Sequence, residues 1–368
     1  FDEYTDRGKN IVAEQTNPNT SPTNINTIAD KITEAKNDLH GAEKLQRDKG
    51  TANQEIGQLA YLNNPQRSGE EALVNGSNTR SEVEEHLNEA KALNNAMKQL
   101  RDKAAEKTNV KQSSDYINDS TERQRGYDQA LQEAENIINE IGNPTLNKSE
   151  IEQKLQQLTD AQNALQGSHL LEEAKNNAIT EINKLTALND AQRQKAIENV
   201  QAQQTIPAVN QQLTLDREIN TAMQALRDKI GQQNNVHQQS NYFNEDEQPK
   251  HNYDNAVQAG QTIIDKIQDP IMNKNEIEQA INQINTTQTA LSGENKLHTD
   301  QESTNRQIEG LSSLNTAQVN AEKDLVNQAT TRTDVAQKLA AAKEINSAMS
   351  NLRDGIQNKD DIKRSSAY

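Results

Sequence analysis

A chain of 368 residues that is 32% hydrophobic, with seven Tyr, two Phe and no Trp, cannot fill one large core. Its formal charge of −16 argues against nucleic acid and against an anionic membrane surface, both of which select basic footprints. The absence of Cys removes disulfides, thiolate metal sites and Cys nucleophiles.

The chain repeats itself. Ala96-Met97-Lys98-Gln99-Leu100-Arg101-Asp102 returns around Met223 and again around Met349, each 126 residues on. The same register aligns Phe1, Tyr127 and Tyr253; Pro18, Pro144 and Pro270; Gly41, Gly167 and Gly293; and Tyr116, Tyr242 and Tyr368. A fixed period of this kind marks a repeat architecture. Units 1–126 and 127–252 are complete and a third runs to 368. The terminal units lack the alterations that cap a finished stack, so the sequence reads as a piece of a longer array. No secretory signal or membrane-spanning run is visible.

In chain order, the middle unit predicts five helices. Tyr127, Ala130, Leu131, Ala134, Ile137, Ile138 and Ile141 form one apolar stripe of a helix that begins as early as Ser120 and is broken by Gly142-Asn143-Pro144. A second helix starts near Asn147, with Glu150 as its capping partner. Asn273 with Glu276 repeats the pair, and Ser21-Pro22 replaces it in the first unit. Its stripe is Ile151, Leu155, Leu158, Ala161 and Leu165, and Gly167 is the expected stop. Leu171, Ala174, Ala178, Ile182 and Leu185 mark a third helix over 168–187. A short fourth opens at Asn189 with Gln192 as capping partner, as do Asn63 with Gln66 and Asn315 with Gln318. Thr205 opens the last, with Thr79–Glu82 and Thr331–Asp334 as capping boxes in the flanking units. Its inward face is Val209, Leu213, Ile219, Met223, Leu226 and Ile230, about 37 Å of helix.

Residues 231–246 read as a bent continuation of that helix, supplying a third helix to the next two-helix half; alternatively the helix at 168–187 serves both halves. Either way each unit forms two small bundles, because an isolated amphipathic pair buries too little. Gly8 on a buried stripe and Gly69 inside the short helix are weak spots, and that short helix should be the least stable. The fold class is all-α, an elongated rod of tandem, alternating three-helix bundles. The divisions fall at 1–41, 42–105, 106–167, 168–231, 232–293, 294–357 and 358–368.

The half from Leu171 to Ile230, with Ala174-Lys175-Asn176-Asn177-Ala178-Ile179-Thr180-Glu181-Ile182, resembles the GA module, a three-helix bundle named for albumin binding. The half with Tyr127-Asp128-Gln129-Ala130-Leu131 and Asn143-Pro144-Thr145-Leu146-Asn147-Lys148 resembles the FIVAR module. Their alternation resembles a family of giant staphylococcal surface proteins. It implies a wall-associated, monomeric helical string at the bacterial cell surface. The partners so implied are fibronectin or another host extracellular-matrix protein, with cell-wall glycan as a further one. Albumin contact on GA modules uses aromatic and apolar side chains around the second helix. The matching 189–204 segment has no aromatic residue, which disfavours albumin here.

The residues themselves reveal no chemistry. His40, His86, His169, His237, His251 and His298 do not recur at the period, none pairs with another at i, i+4, and all read as surface residues. Asn244-Glu245-Asp246-Glu247 lacks the spacing of a Ca²⁺ loop and reads as solvated linker. Met97, Met223 and Met349 read as core filler. Arg101-Asp102 and its copies read as pairing across a bundle or capping a helix end. Tyr116 and Tyr242 read as bundle packing, with an exposed anchor as the alternative. No catalytic, cofactor or metal residue is assigned, and no partner-binding residue can be picked out. An adhesive rod, a discrete binding module and, far behind, an enzyme are the functional readings.

Overall fold

The computed structural model describes residues 1–367, so the place of Tyr368 in the repeat lies outside the described residues. Among these, every regular element is helical. Two compact units divide the chain, Phe1–Leu171 and the described residues from Glu172 onward.

The first unit opens with the hairpin α1 (Asp2–Ala13) and α2 (Pro22–Asn37). Ser21 caps α2 through Asn24 N and Pro22 occupies its first turn, as expected. Next come α3 (Gly41–Gly57), α4 (Asn64–Gly76) and the long α5 (Arg80–Ala105). Both predicted capping boxes form here, Asn63 with Gln66 and Thr79 with Glu82. Short α6 (Lys107–Gln112) and α7 (Ser114–Ile117) lead to α8 (Thr121–Ile138) and α9 (Lys148–Asn163).

Helix α10 (Gly167–Ile182) spans the division. The second unit continues with α11 (Asp190–Ala202), α12 (Ile206–Gly231), α13 (Gln233–His237) and α14 (Ser240–Phe243). It is completed by α15 (Glu247–Asp265), α16 (Lys274–Thr289), α17 (Gly293–Glu309), α18 (Thr316–Asn327), α19 (Arg332–Gln357) and α20 (Lys359–Arg364).

The third helix of the FIVAR-like cores built on α8–α9 and α15–α16 is the second half of the long helix before each. Val83 and Ala90, early in α5, pack with Ala52, Ile56 and Val74 of the GA-like core. Leu93, Met97 and Leu100, later on the same helix, pack with Tyr127, Leu131, Ile151 and Leu158. In the second unit Ile219, Met223 and Leu226 of α12 meet Tyr253, Val257, Ile277 and Ile284 in the same way. Sequence divisions at 105/106 and 231/232 coincide with the ends of these helices; the cores change over near residues 93 and 219, inside them. Met97 and Met223 are fully buried core residues. Val236 and Tyr242 hold the short helices onto this core, so the 231–246 segment is packed.

Several expectations fail, each for a local reason. Helix α8 stops at Ile138, so Ile141 leaves the stripe and is 91% exposed. Asn147 and Asn273 bond the backbone N of Ser149 and Asn275, two residues on, instead of forming boxes with Glu150 and Glu276. Thr331 accepts from Asp334 N without the return bond. Gly167 begins α10 and does not terminate α9, which ends at Asn163. A Cβ there would lie 2.4 Å from Ser114 O and 2.8 Å from Asp119 N, and at Gly293 it would lie 2.5 Å from Ser240 O. Glycine is required because the linker backbone crosses against the start of the helix.

Candidate functional site

The polar side chains converge where one small core hands over to the next. At the start of α4, the Asn63 and Gln66 side-chain oxygens close the capping box. Their amide nitrogens remain available and reach the following bundle. Asn63 Nδ2 donates to Ile137 O at 3.1 Å and Gln66 Nε2 to Thr145 O at 2.9 Å. In the second unit Asn189 Nδ2 donates to Ile264 O at 2.8 Å and Gln192 Nε2 to Ile271 O at 2.8 Å. A Ser–Glu box would cap equally well but has no NH₂ to spare. The choice of amides was the signal available in the sequence, and capping alone did not account for it. Gly69 belongs to the same seam, since its missing Cβ would stand 2.9 Å from Leu146 Cδ1.

The recurring arginine strengthens the seam. Arg101 Nε donates to Tyr61 O at 2.9 Å, and its guanidinium also reaches Ile138 O at 3.3 Å. Arg227 Nε donates to Ala187 O at 3.0 Å. The bonds to Tyr61 and Ala187 pin loop carbonyls across the bundle and the one to Ile138 meets the C-terminal end of α8, so both roles expected of the residue are seen. Asp102 and Asp228 bond only within their own helix, to Lys98 and Gln224.

On the far side of the FIVAR-like core, α17 is capped from the preceding linker. Glu245 and Asn244 are buried, which overturns the reading of these two as solvated linker; Asp246 and Glu247 are exposed. Glu245 accepts from Ser292 N and Oγ and from Lys296. Asp246 pairs with Lys296 at 2.6 Å and with Arg332 at 2.7 Å, and Arg332 also holds Asp300. Asn244 bonds Thr330 O and Arg332 N, tying the linker to the start of α19. An acid placed on the free N–H groups of a helix start is electrostatically favoured. Asp119 plays the matching part in the first unit, accepting from Gln166 N at 2.6 Å. The cap sits some 47 residues before the helix it serves, beyond any local capping pattern.

Burial pushes the Glu245 carboxyl up, but Lys296, the N–H groups of Ser292 and Asp246 and the Ser292 hydroxyl outweigh it and hold it at about 2. With its folded value below the unfolded one, Glu245 stabilises the joint above about pH 4.5, and this contribution is lost as pH falls toward 2.

Each GA-like core buries one carboxylate, Glu70 on α4, Asp216 on α12 and Glu322 on α18. At the matched positions an Ala stands instead: Ala196 for Glu70, Ala90 and Ala342 for Asp216. Glu70 Oε2 has no hydrogen-bond partner. Burial, reinforced by Glu89 and partly offset by His86, raises its carboxyl to about 7. Its folded value exceeds the unfolded one, so the first GA-like core gains stability as pH falls from about 7 to 4.5. Glu70→Gln should raise stability at pH 8 by roughly 2–3 kcal/mol and change nothing at pH 4, read by denaturant titration at both pH values.

Tyr116 and Tyr242 are half-buried packing residues. Their hydroxyls donate to Asp128 at 2.9 Å and to Asp254 at 2.6 Å. His237 is partly exposed but not a free surface residue: its Nε2 lies 2.8 Å from Asp254 Oδ1 and its ring stacks on Tyr242 with centroids 4.2 Å apart. In the first unit Lys111 pairs with Asp128 at 2.9 Å in the same place. Tyr, His and Asp meet here to clamp α13 and α14 onto α15, not over a cavity that could hold a substrate. A cleft of about 780 Å³ beside Asn63, Gly69 and residues 138–142 is open, and polar and apolar groups line it in similar measure. No group of His, Asp and Glu placed to hold a metal occurs among the described residues, and no described helix is long and apolar enough to cross a membrane.

These features define a tandem all-α repeat protein in which two kinds of small core alternate and share their long helices. The FIVAR domain family matches residues 1–40, 96–166 and 222–292, and the GA module family matches 42–96, 168–222 and 294–348. The chain belongs to the family of proteins built from alternating FIVAR and GA repeats.

It is similar to "Extracellular matrix-binding protein ebh" of Staphylococcus aureus strain NCTC 8325, 34% identical over 95% of this chain and 4% of the relative. The protein of the same name from strain MRSA252 is 34% identical over 100% of this chain and 3% of the relative. The chain thus spans a small fraction of the curated relatives it matches. The crystal structure of EbhA (756–1003 domain) from Staphylococcus aureus is similar with a TM-score of 0.62 and 26% identity, covering 67% of this chain and 98% of that one.

Proposed function

We propose that the chain is an adhesive segment of a wall-associated bacterial surface protein, a stiff helical string that binds extracellular matrix, fibronectin first, through weak repeated contacts. The observation that carries this reading is the sharing of α5 and α12 between successive cores. A bundle that borrows its third helix from its neighbour has no flexible linker on that side, so the two halves that share α5, and the two that share α12, keep their spacing. Contacts that are weak singly then add through avidity. The relatives' description as matrix-binding supports the choice of partner. No enzymatic activity is assigned. Small-angle scattering should return a long thin particle, and a rounded one would sink the string. On immobilised fibronectin the chain should be retained more strongly than an unrelated acidic helical protein; equal retention would remove the matrix half of the reading.

The second reading is a set of discrete modules for albumin or wall glycan. Albumin is disfavoured by geometry as well as by the missing aromatics. The starts of α4 and α11, the second helices of two GA modules, are occupied by the loops that follow α8 and α15. A saturable complex with albumin in titration calorimetry would restore it.

A further inference from the structure

The first two GA-like cores each bury one carboxylate opposite one alanine, and the two residues exchange helices between the cores. In the first, Glu70 of α4 lies against α5 beside Glu89 and His86. Ala90, next to Glu89 and one turn on from His86, is the fully buried residue there. In the second, Ala196 of α11 stands at the place of Glu70 and Asp216 of α12 at the place of Ala90, and both are fully buried. The third core returns to the first arrangement, with Glu322 and Ala342. Two acids here would repel each other, and two alanines would leave a void. One acid, on either helix, fills the space, so what is kept is the buried carboxylate and not the position that supplies it.

Glu70 Oε2 and Asp216 Oδ2 have no hydrogen-bond partner, and Asp216 accepts from Gln212 of its own helix at 3.1 Å. The bases on the helices around Glu70 are held by other acids: His86 by Glu89 at 3.1 Å, Lys91 by Glu55 of α3 at 2.6 Å and Lys148 by Glu152 of α9 at 3.1 Å. To the same core α3 brings the apolar Ala52 and Ile56. Around Asp216, Arg217 pairs with Glu181 of α10 at 3.1 Å, Lys195 with Glu198 of α11 at 3.2 Å and Lys274 of α16 with Glu218 at 3.4 Å. A carboxylate shut away from water without a counter-charge binds a proton more readily than a free one. We propose that this place is a proton-binding site common to the first two GA-like cores, so that a fall in pH firms both bundles. Burial raises the Asp216 carboxyl against the bond from Gln212, as it raises that of Glu70. With folded values above unfolded ones, the contribution of Glu70 is complete below about pH 4.5 and is lost as pH rises through about 7, and that of Asp216 is likewise lost as pH rises. The joint at Glu245 weakens only below about pH 4.5, so it does not oppose the firming above that value.

Hydrogen exchange on the whole chain at pH 8 and pH 4.5, corrected for the intrinsic rate at each pH, tests the proposal. Protection in α4 should rise on the order of 100-fold at the lower pH, and protection in α11 should rise with it. Asp216→Ala should abolish the rise in α11 and leave the one in α4. Asp216→Ala combined with Ala196→Glu moves the acid to the helix that carries it in the first core, and should bring the rise in α11 back. A role peculiar to Asp216 on α12 would not be recovered in this way. Equal protection at the two pH values in the unaltered chain, or a folded exchange variant without the rise, would overturn the proposal. Should the exchange variant not fold, carboxyl-carbon NMR of the unaltered chain decides: Glu70 and Asp216 should both titrate above the exposed acids, and ordinary titration of either would overturn it.

Discussion

Gly293→Ala should lower stability by about 3 kcal/mol, although alanine normally improves a helix by about 1 kcal/mol. The added Cβ would stand 2.5 Å from Ser240 O, 2.6 Å from Glu245 N and 2.7 Å from Asn241 O. All three are backbone atoms, so no side-chain rotation relieves the overlap. Either α17 moves away from the linker or the linker gives up its caps on Ser292 and Glu294. Gly50→Ala is the control: that glycine lies inside α3 with nothing within 4 Å of the added carbon, and alanine there should be stabilising. Calorimetry on both variants should move the transition temperatures in opposite directions. Equal shifts would mean that the joint is looser than the packed backbone implies.

Gln192→Glu should cost about 3–5 kcal/mol at pH 8, the range for a buried charge without a partner. The substitution keeps the shape and the bond from Asn189 N that closes the capping box. It removes the NH₂ that donates to Ile271 O and puts a carboxylate oxygen against a carbonyl at a fully buried position. Desolvation would raise the folded carboxyl above its unfolded value, so the penalty shrinks as pH falls and the acid proton replaces the lost donor. Hydrogen exchange at the backbone N–H groups of α11 and α16 at pH 8 and pH 5 would report it. A variant as protected as the parent at pH 8 would show that the amide bridge does not hold the modules together.

Much of the architecture was legible because repetition multiplies a weak signal. One stripe of apolar residues is ambiguous, but Met97 and Met223, or Tyr127 and Tyr253, at matched places in successive copies require the same inward face twice. The capping boxes of α4, α11 and α18 formed as read, since each is closed within four residues of chain. Local reading failed where the partner is distant. Glu245 and Asn244 looked like solvated acid and amide, because their partners at Ser292, Lys296, Thr330 and Arg332 lie 47 to 88 residues on. His237 looked like a free surface residue because its partner Asp254 lies two helices on, in α15.

Period, helix content, the acidic surface and the inward stripes all follow from local composition and spacing, for helical geometry relates residues three and four apart whatever surrounds them. Which helix completes which core was open to two answers on sequence grounds, and packing chose between them. A 26-residue helix is longer than either small core can cover, so its apolar face runs on past the first and is buried only by the hairpin that follows. That overhang makes neighbouring modules interdependent, turns capping amides into bridges between bundles and makes Gly167 and Gly293 obligatory.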